Sequence, residues 1–144
     1  MPEDLRGCVK FSDGKYDLSS LLADSGLFAE SIDDFLAMFD REVFDKIICC
    51  GGTSNVVSGA LAYKLHKGVL SADAITTENL PAGTRVIVVA DVLTSGERAR
   101  SFVQSLMDRG VNVVRLGFMA EISEFGARKN KVLRKYPFEA LVVL

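Results

Sequence analysis

The apolar run from Val86 to Ala90 ends in Asp91 and then meets a small polar turn, Thr94-Ser95-Gly96, after which Glu97 and Arg98 open a stretch of helical periodicity. An unbroken apolar run of this kind suits a strand covered on both faces, the condition of a parallel sheet sandwiched by helices. The turn is equally constraining. Backbone amides at a helix start lack intrahelical partners and sit at the positive end of the dipole, so Thr94, Ser95 and Gly96 offer amides and hydroxyls to a phosphate. Asp91, at the strand's end, is placed to hold sugar hydroxyls. Alternatively, Asp91 caps the loop and Glu97 only complements the dipole. An acid and a Thr-Ser-Gly turn together at a strand's exit favour a ligand site.

The rest of the chain repeats this alternation. Ile32, Phe35, Leu36, Phe39 and Val43 recur at helical spacing, with Ser31 placed to cap and Asp33 and Asp34 in the first turn. Lys46 to Cys50 reads as a buried strand, Gly51 to Asn55 as a turn, and Val56, Val57, Ala60, Leu61 and Leu65 as a helix stopped by Gly68. Val69 to Ile75 supplies another strand, and Pro81-Ala-Gly83 turns the chain into Val86 to Val89. Ala99, Phe102, Val103, Leu106 and Met107 line a helix ending at Gly110. Val111 to Ala120 and Leu141 to Leu144 follow as strands. Strands alternating with amphipathic helices predict an α/β, Rossmann-like parallel sheet with helices on both faces, joined by right-handed crossovers. Gly51 to Asn55 and Asp91 to Arg98 then share the carboxyl edge of the sheet. Gly51 to Asn55 suits a plain turn as well as an anion loop.

A chain of 144 residues, 49% hydrophobic and 25% charged, suits one domain spanning 1–144. With a net charge of -2 it lacks the footprint of a general nucleic-acid binder, so no nucleic-acid partner is expected. No apolar run approaches a bilayer span and the opening Met-Pro-Glu-Asp-Leu-Arg lacks a secretory layout, so a cytoplasmic address and no membrane partner are expected. Cys8, Cys49 and Cys50 suit buried thiols in a reducing compartment, and the lone His66 gives no metal-site pattern. The basic run Arg128 to Lys135 reads as a solvated helix face, and Phe118 and Phe125 read as core in preference to base-stacking platforms.

The segment Val86 to Gly96 resembles the phosphoribosyl pyrophosphate signature of type I phosphoribosyltransferases. Similarity to the adenine and orotate branches extends through Asp45 to Ser54, Gly59 to Leu65, Glu121 to Arg128, and Tyr136-Pro-Phe138. The resemblance implies the type I phosphoribosyltransferase fold, usually dimeric. Thr94, Ser95, Gly96, Glu97 and Arg98 would surround a 5'-phosphate, Asp91 would bind ribose hydroxyls, and Gly51, Gly52, Thr53 and Ser54 would form the pyrophosphate loop. The small-molecule partner would be phosphoribosyl pyrophosphate or a nucleoside monophosphate. In this family a base nitrogen attacks the anomeric carbon while Mg2+-bound pyrophosphate leaves, so Mg2+ would arrive through the substrate.

Several residues depart from that pattern. Ala90 replaces the first of two family acids, which removes a carboxylate that would counter charge at the reacting sugar. Glu97 stands where many members carry Gly, and at roughly 5 Å it would repel a phosphate by about 3 kcal/mol at an effective dielectric near 20. Arg98, in place of a small residue, is expected to offset it. Gly52 to Asn55 hold no Arg or Lys, and the segment Ser71 to Thr84 is shorter than the family's mobile catalytic loop. The implied functions are phosphoribosyl transfer to a purine or pyrimidine base, or a non-catalytic nucleotide-sensing module that keeps the pocket. A response-regulator receiver is excluded: Gly-Gly follows Ile47 to Cys50 with no acidic pair after an early strand, and no Lys ends a late strand.

Overall fold

Five parallel strands form the central sheet: β3 (Lys46–Cys49), β4 (Gly68–Ser71), β5 (Arg85–Leu93), β6 (Asn112–Glu121) and β7 (Phe138–Val143), in the order β4-β3-β5-β6-β7. The computed structural model describes residues 4–131 and 133–144. Met1 to Glu3, at the start of the stretch examined for a secretory signal, and Val132, inside the basic run, lie outside the described residues. β5 explains the layering. Ile87 and Val89 belong to one core, Val86 and Val88 to the other, as a strand buried on both faces requires. The first core is roofed by α2 (Ser25–Phe39) and α3 (Thr53–Leu65), the second by α4 (Glu97–Asp108). The predicted α/β architecture with helices on both faces is the one observed.

Element ends moved for identifiable reasons. α2 starts earlier than its apolar periodicity predicts because the Asp24 side chain accepts from the Leu27 amide at 3.1 Å and caps it. Ser31 is therefore no cap: buried inside the helix, its hydroxyl donates to the Phe28 carbonyl at 2.7 Å. Val43 lies beyond the helix and is 67% exposed. α3 ends at His66, which takes the left-handed conformation (φ 55) usually left to glycine, and Gly68 begins β4 instead. β4 stops at Ser71, where a 3-10 turn (Ala72–Ala74) takes over from the expected strand to Ile75. β5 runs on to Leu93, so Asp91 stands within the strand, and β7 starts at Phe138, before the expected Leu141.

The predicted solvated helix over Arg128 to Lys135 is replaced by 3-10 turns, Ala127–Lys129 and Leu133–Lys135, pinned by fully buried Leu133. The alternation reading passed over a short amino-terminal hairpin, β1 (Lys10–Ser12) and β2 (Lys15–Asp17), turned by Asp13-Gly14 with φ 53 and 76. α1 (Ser19–Ala23) follows, its start held by the Asp17 carboxylate, which accepts from the Ser19 amide at 2.9 Å and its hydroxyl at 3.1 Å. Across residues 71–84, Thr76 and Asn79 exchange side-chain and backbone hydrogen bonds (2.8 and 3.1 Å), and Leu80 is buried. Lys46 Nζ ties this segment to β3 by donating to the Asn79 carbonyl.

Two contacts hold the sheet in register. At its amino edge Asp45 accepts from the Arg85 amide (2.9 Å), Nε (3.3 Å) and Nη2 (2.8 Å), which lowers its carboxyl pKa from 3.8 to about 2. A depressed carboxylate stabilises the fold above its unfolded pKa and loses that contribution as pH falls through the folded one. Urea midpoints of wild type should therefore fall between pH 4 and 2 more steeply than those of Asp45→Asn. On the α2 side, a Cβ at Gly117 would lie 2.7 Å from Phe39 Cζ and 3.0 Å from Phe35 Cε1, in a stacked ring pair 5.6 Å apart. Gly117→Ala is expected to cost about 1–3 kcal/mol of unfolding free energy by equilibrium denaturation, because neither ring has room to retreat.

Candidate phosphoribose site

Because β3 and β5 are direct neighbours, their exits at the carboxyl edge place two helix starts side by side. β3 leads through Gly51 and Gly52 into α3, and β5 leads through Thr94, Ser95 and Gly96 into α4. Such an edge is where open α/β sheets bind ligands. Asp91 joins the two. Its Oδ1 accepts from the Ser54 amide at 2.6 Å and its Oδ2 from the Thr53 amide at 3.1 Å. This carboxylate satisfies the first orphan amides of α3 and meets the positive end of its dipole. Gly52 allows the approach: a Cβ there would overlap Asp91 Oδ2, and its backbone has φ 60.

The loop before α3 is closed by further bonds. The Ser54 hydroxyl donates to the Gly51 carbonyl at 2.6 Å, and the Gly51 amide donates to Asn55 Oδ1 at 2.8 Å. Burial pushes the Asp91 carboxyl above its ordinary range, opposed by the Ser54 and Thr53 amides and assisted by the negative charge of Asp17. Cys50, beside it, is raised to about 12 by burial and by Cys49 and Asp91, so its thiol stays protonated and non-nucleophilic near neutrality.

The loop before α4 is open by comparison. Thr94 is half-buried, Ser95, Glu97 and Arg98 are exposed, and Gly96 is buried against Leu133 and Ala127. Ser95 Oγ accepts weakly from the Glu97 amide at 3.4 Å, while the Arg98 and Ala99 amides have no partner among the described residues. Glu97 has partners of its own. It pairs with Arg100 Nε at 3.0 Å, one helical turn on, and accepts from Asn130 Nδ2 at 3.5 Å. Arg98 carries no ion pair among the described residues and remains available to an anion.

One pair at this edge was not singled out from the sequence. Glu121, buried at the end of β6, accepts from Arg128 Nη2 at 2.8 Å and from its Nε at 3.2 Å, while the guanidinium lies 4.4 Å from the Phe138 ring centre. An isolated acid and base seven positions apart give no helical-pair signal, and only the turns after β6 bring them together. Phe118 is core as expected, edge-on to Phe138 at 6.2 Å, but Phe125 is half-exposed. Two depressions of about 320 and 350 Å³, against α2–α3 and α2–β7, include no residue of either loop.

No family profile matches the chain. Among curated proteins it is similar to the adenine phosphoribosyltransferase of Thermotoga maritima, 28% identical over 151 residues and covering 88% of this chain and 86% of that one. The Thermotoga neapolitana adenine phosphoribosyltransferase is 26% identical over 150 residues, with 88% and 87% covered. Among solved structures, adenine phosphoribosyltransferase from Thermoanaerobacter pseudethanolicus superposes with a TM-score of 0.83 at 19% identity, over 97% of this chain and 98% of that one. The Giardia lamblia enzyme complexed with 9-deazaadenine gives 0.83 at 16% identity, over 97% and 96%. The fold is therefore that of the type I phosphoribosyltransferases. Within that class the chain is adenine/orotate phosphoribosyltransferase-like, its curated relatives being adenine phosphoribosyltransferases.

Arg128→Ala should strand the buried Glu121 carboxylate and cost about 2 kcal/mol in urea unfolding, moderated by the half-exposed position of the arginine. Arg128→Lys, which keeps the charge but loses the fork, should recover only part of that loss.

Proposed function

We propose that this protein binds phosphoribosyl pyrophosphate and transfers its phosphoribosyl group to a purine base in nucleotide salvage. The carrying observation is the adjacency of the two helix starts on β3 and β5, with Asp91 between them. The open loop suits the 5'-phosphate: Thr94 and Ser95 offer hydroxyls, Gly96 lets the chain turn into α4, Arg98 and Ala99 offer amides, and the Arg98 guanidinium adds a charged fork. Glu97, held on Arg100, is screened from that phosphate. Gly52, Thr53 and Ser54 would hold the diphosphate, and Asp91 the ribose hydroxyls.

In the reaction a base nitrogen bonds to the anomeric carbon as the carbon–oxygen bond to pyrophosphate breaks, the electron pair leaving with pyrophosphate. The Thr53 and Ser54 amides, once given up by Asp91, would stabilise the charge of the leaving group. Magnesium arriving on the substrate's diphosphate would supply further neutralisation. Asp91 would be the nearby carboxylate able to ligate it, and among the described residues no cluster of three potential metal ligands is found. The purine is favoured because the curated relatives are adenine phosphoribosyltransferases. Their activity also supports transfer over the non-catalytic sensing module. The proposal includes a homodimer, to be checked by light scattering, and a cytoplasmic location. Among the described residues no helix is long and apolar enough to cross a membrane.

With phosphoribosyl pyrophosphate, magnesium and adenine, pyrophosphate release should depend on the base and disappear in Ser95→Asp. Ala90→Asp should raise kcat about tenfold, since an added acid worth about 1.4 kcal/mol at the charged sugar corresponds to that factor. No base-dependent release from either wild type or Ala90→Asp would overturn the transferase proposal.

A further inference from the structure

We propose that Asp91 is a specificity-determining residue that occupies the diphosphate loop at rest, so that a diphosphate must displace its carboxylate whereas a ribose bearing only a 5'-phosphate need not. The inference deepens the function proposed above and rests on it. Its physical basis is the asymmetry of the two helix starts. At α3 an anion is already seated: both oxygens of Asp91 accept from consecutive amides, at 2.6 and 3.1 Å, across a separation of 37 and 38 residues. The contact is tertiary, made between β5 and the loop after its neighbour β3, and it uses the amides a phosphate oxygen would use. At α4 no carboxylate takes the equivalent place. Glu97 turns to Arg100 and Asn130, the Arg98 and Ala99 amides stay uncommitted among the described residues, and Arg98 stands exposed beside them.

The composition of the occupied loop strengthens the effect. Gly52 to Asn55 provide no Arg or Lys to draw a diphosphate in against the resident carboxylate. A diphosphate therefore gains two amides only by taking them from Asp91, and two like charges cannot share them. The 5'-phosphate encounters no such competitor. Once displaced, Asp91 is released at the point where the ribose hydroxyls would lie. Opening the diphosphate loop and gripping the sugar thus become one exchange of the same carboxylate, and the resting site favours nucleoside monophosphates or ribose 5-phosphate over phosphoribosyl pyrophosphate.

Inorganic pyrophosphate reads the occupied loop without a sugar, and a Ser95→Asp background blocks the other loop. By titration calorimetry, Ser95→Asp/Asp91→Asn should bind pyrophosphate at least tenfold more tightly than Ser95→Asp alone; an equal or weaker affinity overturns the inference. Ribose 5-phosphate binding to wild type reports the open loop separately. If it is absent, the functional proposal fails; if it is present while the Asp91 change leaves pyrophosphate affinity unaltered, only the Asp91 assignment fails. Should the double variant not fold, carbon and nitrogen NMR of Ser95→Asp provides the same decision. Pyrophosphate should shift the Thr53 and Ser54 amides together with the Asp91 side-chain carboxyl resonance, and amide shifts that leave the Asp91 carboxyl unmoved, or no shifts, overturn displacement.

Discussion

A parallel sheet delivers every strand exit to one edge, and each exit that enters a helix leaves unpaired amides there. The structure depends on how those amides are satisfied. The apolar β5, covered on both faces, fixes β3 beside it and so brings the starts of α3 and α4 together. One start is closed by Asp91 and the other is left open. A buried carboxylate is costly unless it is hydrogen-bonded, and the α3 amides supply those bonds. On the proposed function, structural need and ligand recognition would be served by the same few atoms.

The sheet and the two loops were legible because they are encoded locally. Apolar runs such as Val86 to Val89 declare a doubly covered strand, and Thr94-Ser95-Gly96 declares a strand-to-helix turn from its residue types alone. What was not legible depends on contacts between distant positions. Asp91 could be named as a site residue, but its seat on Thr53 and Ser54 requires β3 and β5 to be neighbours. Glu97 had Arg98 beside it in sequence, yet helical geometry turns it toward Arg100. The Glu121–Arg128 pair likewise needs the turns after β6, and Leu133 converts an apparently solvated basic run into part of the second core. Ser31 illustrates a local failure: its apolar neighbours began a pattern that the helix had already entered, because Asp24 capped it further upstream.

The departures from the family pattern are coupled rather than scattered. Ala90 stands where the family pattern carries the first acid, which leaves Asp91 as the remaining carboxylate of that pair. A lone carboxylate meets no adjacent like charge on its own strand, so nothing there opposes its settling on the α3 amides. The absence of a cation from Gly52 to Asn55 acts in the same direction, since an Arg in that loop would offer the carboxylate a second partner. Glu97 follows a similar logic at the other helix start. Its charge is partly balanced by Arg100, which leaves Arg98 without an ion pair among the described residues.

On the proposed function, this coupling would let a short site bind and release its ligand without a long covering loop. The segment from Ser71 to Thr84 is tied to the sheet by Lys46 and the buried Leu80 and braced internally by the Thr76–Asn79 bonds. On the same reading, rotation of one side chain would change the edge from closed to open, Asp91 trading two amides for ligand hydroxyls with little change in its number of hydrogen bonds. Such an exchange costs far less ordering than folding a long loop over the substrate. It excludes water less completely, which lowers the catalytic return from the amides that bind the leaving group. On the proposed function, the carboxylate seated on the α3 amides would thus limit how strongly the site favours a departing diphosphate.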